Sequence, residues 1–136
     1  MDCIFCKIVQ GKIKARTILE TQDSLAFLDA FPLATGHSLV ISKNHYGKIQ
    51  DMPPAENADL FETVRKVVSM VDKITGATLV AVHNGKESGQ EVPHVHVHLV
   101  PRSSHDSAGP IHSMFSKRSA LSDKEFDDVL RKIKSL

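Results

Sequence analysis

The chain has no excess of charge of either sign: its 136 residues hold 17 Lys+Arg against 16 Asp+Glu, a net charge of +1 with the histidines neutral. That balance argues against a partner that is nucleic acid or an anionic membrane surface. The basic residues at 117–118 and 131–134 read as the solvated side of a terminal helix. No apolar run approaches the roughly 20 residues that span a bilayer. The opening M-D-C-I-F-C-K lacks the basic, apolar and small-residue order of a secretory signal, so a cytoplasmic location is expected, with the nucleus also open. In such a compartment Cys3 and Cys6 stay reduced, which argues against a structural disulfide between them. Internal repeats and low-complexity tracts are absent too.

What is present is enough for one domain over residues 1–136, since a 41% hydrophobic chain of this length can bury a core without staples. Ile4–Val9 is a short apolar stretch closed by Gln10-Gly11, room for one or two helical turns. Thr17–Glu20, Ser24–Asp29, Ser38–Ser42, Ala77–His83 and His94–Val100 read as short strands bounded by turn residues. After Met52-Pro53-Pro54 the spacing of Leu60, Val64, Val67, Val68, Val71 and Ile74 predicts a helix over Ala55–Thr75, with Gly76 just past its end. Residues 102–119 read as a long loop. Ser122-Asp123-Lys124-Glu125 has capping-box form ahead of Phe126, Val129, Leu130 and Ile133, which predicts a C-terminal helix. This order predicts an α+β domain, an antiparallel sheet with one main helix packed on it.

The chemistry concentrates in P-H-V-H-V-H-L-V-P, residues 93–101. On a strand His94, His96 and His98 share one face, and Val95, Val97 and Leu99 the other. Imidazole serves as base, nucleophile or metal ligand near neutral pH. One metal does not suit all three: at about 3.3 Å per residue the His94 and His98 backbones lie ~13 Å apart, whereas donors on one zinc converge to roughly 3.5 Å. At least one ring is therefore free for other work. Cys3-x-x-Cys6 supplies half a tetrahedral zinc site, a plain pair of buried thiols, or a redox dithiol; the last is disfavoured because no strand precedes it. His37 and His45 each also read as ordinary turn or loop residues, and His105 and His112 as solvated ones.

G-Q-E-V-P-H-V-H-V-H-L-V-P-R, residues 89–102, resembles the signature of the histidine triad (HIT) family. C-I-F-C-K-I-V-Q-G-K-I near the N-terminus, L-A-F-L-D-A-F-P at 25–32 and G-H-S-L-V-I-S-K-N-H at 36–45 resemble its Hint branch, in the family order. Together they cover most of residues 2–102. The resemblance implies an antiparallel sheet of about five strands with a central helix, usually in a homodimer. It implies a hydrolase that cleaves purine nucleoside phosphoramidates, of the AMP–amine type, at the α-phosphate through a covalent nucleotidyl-histidine. His96 would be the nucleophile; His98 would bind phosphoryl oxygens and assist proton transfer to the leaving group; His37 would support their hydrogen-bond network. Asp29 would accept from the ribose hydroxyls. Phe5, Ile13, Phe27 and Leu28 would form or adjoin the base slot, and Gly89, Gln90 and Glu91 would offer donors to the phosphate. Cys3, Cys6, His45 and His94 would hold a structural zinc ion. His83 stands where relatives usually carry Asn or Gln near the phosphate, and Glu91 where many carry Ser or Thr. The Trp-containing C-terminus of some Hint enzymes is missing. A dinucleoside polyphosphate hydrolase, a nucleotide-binding module with little turnover, or a zinc enzyme with its metal at the triad are the alternatives.

Overall fold

The computed structural model describes residues 2–135, in two compact units, Met1–His105 and Asp106–Leu136. In the first unit, helix α1 (Ile4–Val9) is followed by strands β1 (Thr17–Glu20), β2 (Ser24–Leu28) and β3 (Ser38–Ser42). Helix α2 (Pro54–Val71) leads to strands β4 (Thr78–Ala81) and β5 (His96–Pro101). The strands form one antiparallel sheet in the order β1-β2-β3-β5-β4, the α+β architecture expected.

The pleat sorts the side chains into two layers. Ala26, Val40, Val97 and Leu99 point to one face, where they pack with Leu60, Val64, Val67 and Val71 of α2. Fully burying a side chain of this size is worth ~1.5–3 kcal/mol, so this contact is what holds helix to sheet. The opposite face carries Leu25, Phe27, Leu39 and Ile41, closed by Cys3 and Phe5 from around α1. That second face is where the functional side chains lie.

Some boundaries differ from the expected ones. α2 ends at Val71 rather than Thr75. Its last sheet-facing position is filled there, the chain turns with the Gly76 N–H on the Asp72 carbonyl at 2.7 Å, and Ile74 is left half exposed. β2 stops at Leu28 because the Asp29 carboxylate takes the Phe31 N–H at 2.8 Å and bends the chain. β4 is shorter than Ala77–His83, with His83 two residues beyond its end. β5 starts at His96, not His94: the His94 N–H turns back to the Val92 carbonyl at 2.8 Å, and the Val95 N–H bonds Tyr46 instead of β3. No helix among the described residues is long and apolar enough to cross a membrane.

The second unit contains a short 3-10 turn (Ile111–Met114) and helix α3 (Asp123–Lys134). The expected capping box is present, with the Glu125 N–H on Ser122 Oγ at 3.2 Å and the Ser122 N–H on Glu125 Oε1 at 3.1 Å. Phe126, Val129, Leu130 and Ile133 are exposed.

Candidate active site

Strand register assembles the site. Leu39 pairs with His98 and Ile41 with His96 across β3 and β5, so both imidazoles share the face of the α1 layer. Position 37, two before Leu39, continues that face beyond the end of β3. Asp29 follows β2, and its N–H bonds the His37 carbonyl at 2.9 Å. On the other side Ala81 of β4 pairs with His98, so continuing two residues brings position 83 level with position 96. Asp29 and His37 therefore flank the imidazole row on the β3 side and His83 on the β4 side, its ring centroid 5.4 Å from that of His98.

A cavity of ≈ 440 Å³ opens over this row. Phe5, Phe27 and Leu39 line its apolar wall, while Asp29, His37, His96, His98, His83, Gly89 and Glu91 line its polar part. Phe5 meets the His96 ring edge-on at 5.0 Å between centroids and Phe27 at 6.0 Å. The volume and the mixed lining suit a ligand with a flat apolar part and a polar or anionic part.

The hydrogen bonds fix where each ring carries its proton. His96 Nδ1 lies 2.7 Å from the His94 carbonyl. A carbonyl only accepts, so Nδ1 is the protonated nitrogen and Nε2 keeps its lone pair. His37 Nδ1 accepts the Leu33 N–H at 3.0 Å, so in the neutral ring the proton sits on Nε2. That Nε2–H donates to His98 Nδ1 at 3.1 Å, which places the His98 proton on its own Nε2. Burial pushes the pKa values of His37 and His96 below the ordinary histidine value. His98 is pushed down to about 4 by burial, with the His96, His37 and His83 rings adding to it. The row is thus a neutral nucleophile (His96) beside a neutral hydrogen-bond donor (His98).

His94 belongs to a second cluster. Its Nε2–H donates to the Ser42 carbonyl at 2.6 Å, leaving the Nδ1 lone pair facing Cys3 Sγ at 3.3 Å and Cys6 Sγ at 3.6 Å. His45 Nδ1 lies 3.3 Å from Cys6 Sγ. Donor atoms of Cys3, Cys6, His45 and His94 all fall within 4.8 Å of one another. Burial, with Cys3 beside it, pushes the Cys6 thiol up. Two neighbouring sulfurs with an imidazole lone pair aimed at them are donors suited to a cation; two sulfurs and two ring nitrogens are a closed zinc-type set. Asp29, His37 and His98 also converge within 4.8 Å, but there the facing ring nitrogens already share a proton.

Other expected residues fall elsewhere. Gln90 does not line the cavity: its amide ties the Gly85 N–H at 2.8 Å to the Gly47 carbonyl at 2.8 Å. The Gly89 and Gln90 N–H groups are likewise spent on Lys86 and Gly85, so the turn does not offer the phosphate three free donors. Leu28 is 39% exposed and, by the pleat, lies off the face that Phe27 occupies. Ile13 lines neighbouring cavities rather than this one. Ile4, Ile8, Leu33 and Val92 line it without having been expected. Leu39 was recoverable, being two residues from His37 on a strand. The Leu33 N–H and Ser42 carbonyl were not, because backbone groups leave no mark in a sequence.

Residues 10–105 match the HIT domain family. An uncharacterized HIT-like protein of Methanocaldococcus jannaschii is 38% identical over 134 residues, covering 97% of this chain and 98% of that protein. An adenosine 5'-monophosphoramidase of Schizosaccharomyces pombe is 41% identical over 102 residues, 75% of each chain. The crystal structure of a HIT family member from Bacillus subtilis superposes with a TM-score of 0.88 at 26% identity, covering 100% of this chain and 98% of that one.

Proposed function

This chain belongs to the HIT family, and from that we infer that it is a hydrolase of purine nucleoside phosphoramidates, cleaving AMP–amine conjugates at phosphorus through a nucleotidyl-His96 intermediate. One observation carries the reading: the His94 carbonyl holds the His96 Nδ1–H, so the Nε2 lone pair is free within a cavity that offers a carboxylate and an apolar wall. Asp29 accepts from the ribose hydroxyls and the Phe5/Phe27 wall holds the base. His96 Nε2 attacks phosphorus. The P–N bond breaks, its electron pair leaves with the amine, and a proton reaches that nitrogen. His98 donates its Nε2–H to a phosphoryl oxygen. Water then displaces the histidine and AMP leaves. Two displacements let one site expel a poor leaving group and afterwards admit water.

The test compares wild type with His96→Ala on adenosine 5'-phosphoramidate and looks by mass spectrometry for adenylylated His96 after rapid quenching. A loss of more than about a thousandfold is expected, since the nucleophile itself is removed. Activity within a few-fold of wild type would sink the reading. Competing a dinucleoside polyphosphate in the same assay tests the neighbouring specificity.

Cys3, Cys6, His45 and His94 are the residues that would hold a zinc ion. Its contribution would be structural, tying α1 to the start of β5 without entering the reaction. The need for reduced sulfurs there favours a cytoplasmic location. We also propose a homodimer: β4 is an edge strand with Leu79 and Val80 exposed, and an unpaired apolar edge invites a second copy. Light scattering on the purified protein measures the mass.

A further inference from the structure

Resting on the phosphoramidase reading, we propose that His83 is the general acid that protonates the departing amine. Two features of the structure point there, the position of this ring and the fixed state of its neighbour.

His98 is not free to do it. The Leu33 N–H points at His37 Nδ1, so His37 holds its proton on Nε2 and presents it to His98 Nδ1. An acidic, imidazolium His98 would need a proton on that same Nδ1, facing the His37 N–H across 3.1 Å. Turning His37 over to relieve this would set its Nδ1–H against the Leu33 N–H. The backbone thus holds His98 as a neutral donor. A neutral imidazole that gave up its last proton would become an imidazolate, which is out of reach near neutral pH. His96 is spent as the nucleophile, with its N–H committed to the His94 carbonyl.

His83 is the imidazole left over. It lines the same cavity, with its ring centroid 5.4 Å from that of His98. Its nitrogens have no hydrogen-bond partner among the described residues. Its ring lies against Gly89, whose φ of +108° lets the loop pass beneath it; a Cβ there would come within 3.5 Å of the ring. His83 and Asp29 flank the imidazole row on opposite sides, His83 on the β4 side of β5 and Asp29 on the β2/β3 side. With the ribose on Asp29 and phosphorus over His96, the leaving group extends toward His83. Glu91 lines this cavity too and has no ion-pair or hydrogen-bond partner among the described residues, an acidic side chain suited to face a departing amine.

The protons balance over two steps. In the first, His96 Nε2 bonds to phosphorus, the P–N bond breaks, and imidazolium His83 gives its proton to the amine nitrogen, which takes the P–N electron pair. In the second, water bonds to phosphorus while neutral His83 takes its proton. The P–Nε2 pair returns to His96, and imidazolium His83 is restored. The sum is phosphoramidate and water going to AMP and amine.

A general acid matters only when the leaving group needs its proton. The test therefore compares wild type and His83→Asn on an alkylamine phosphoramidate of AMP and on the nitrophenyl ester of AMP, whose nitrophenolate departs unprotonated. For His83→Asn, kcat/KM should fall by about a hundredfold or more on the phosphoramidate and by less than about threefold on the ester. Ester turnover also reports that the variant is folded. Equal losses on both substrates, or none on either, overturn the role. Wild type that turns over the ester but not the phosphoramidate overturns the phosphoramidase reading itself, and this role with it.

Discussion

Replacing His37 should lower activity by a modest factor that a well-chosen second residue restores. His37 is buried and its ring makes two hydrogen bonds, accepting from Leu33 at 3.0 Å and donating to His98 at 3.1 Å, with Asp29 Oδ2 3.5 Å from the same Nε2. His37→Ala removes the donor that keeps the His98 proton on Nε2, where a phosphoryl oxygen can use it. A neutral hydrogen bond is worth ~1 ± 0.5 kcal/mol net. Each 1.36 kcal/mol is tenfold in rate, so kcat/KM on adenosine 5'-phosphoramidate should fall roughly two- to thirteenfold, centred near fivefold. That is far less than removal of the nucleophile should cost. The truncation also leaves the Leu33 N–H unpaired at a cost of ~1–3 kcal/mol, so Tm is measured alongside and rates are scaled to folded protein. His37→Gln places an amide N–H near the former ring Nε2, and should recover activity to within about threefold of wild type. An unimpaired Ala variant, or a Gln variant as poor as Ala at equal folded fraction, would refute the tautomer assignment.

Further outcomes follow from the same geometry. His98 titrates at about 4 in the folded protein, against about 6.5 for an ordinary histidine. Between these values the unfolded chain binds the extra proton, so His98's contribution to stability is intact above about pH 6.5 and lost as pH falls toward 4. Thermal melts should show a smaller acid-induced drop in Tm for His98→Asn than for wild type; parallel curves would contradict this. Cys3→Ser/Cys6→Ser protein should lose its zinc by elemental analysis, and retention of one equivalent would place the metal elsewhere. Leu60→Ala, at a fully buried contact between α2 and the sheet, should cost ~2–5 kcal/mol in urea unfolding while leaving kcat/KM per folded molecule within about twofold.

The sheet was legible because β2 and β3 are short apolar runs bounded by turn residues and β5 alternates imidazole with apolar side chains, and the three-histidine run told which face mattered. The family resemblance, rather than the cysteine spacing, grouped His94 with the cysteines, and its Nδ1 lies 3.3 Å from Cys3 Sγ. The C-terminal helix announced itself through its cap. Ends were less legible: α2 stops where the sheet stops needing it, a tertiary fact that the continuing apolar stripe to Ile74 hides. Gln90 misled because a side-chain amide in a loop can face a ligand or stitch the loop to itself, and only the Gly47 carbonyl decides. The identities of His37 and His98 were readable, but not their protonation, which hangs on one backbone amide of Leu33.

Alternation along β5 acts like a reading frame. Inserting or deleting a single residue between Val95 and Leu99 would turn the imidazoles into the packed layer beneath Leu60 and Val67 and bring valines to the cleft. Catalytic competence and foldability would be lost at one stroke. Descendants of this chain can then drift by substitution along the ribbon, whereas their changes in length must gather in the connections between elements.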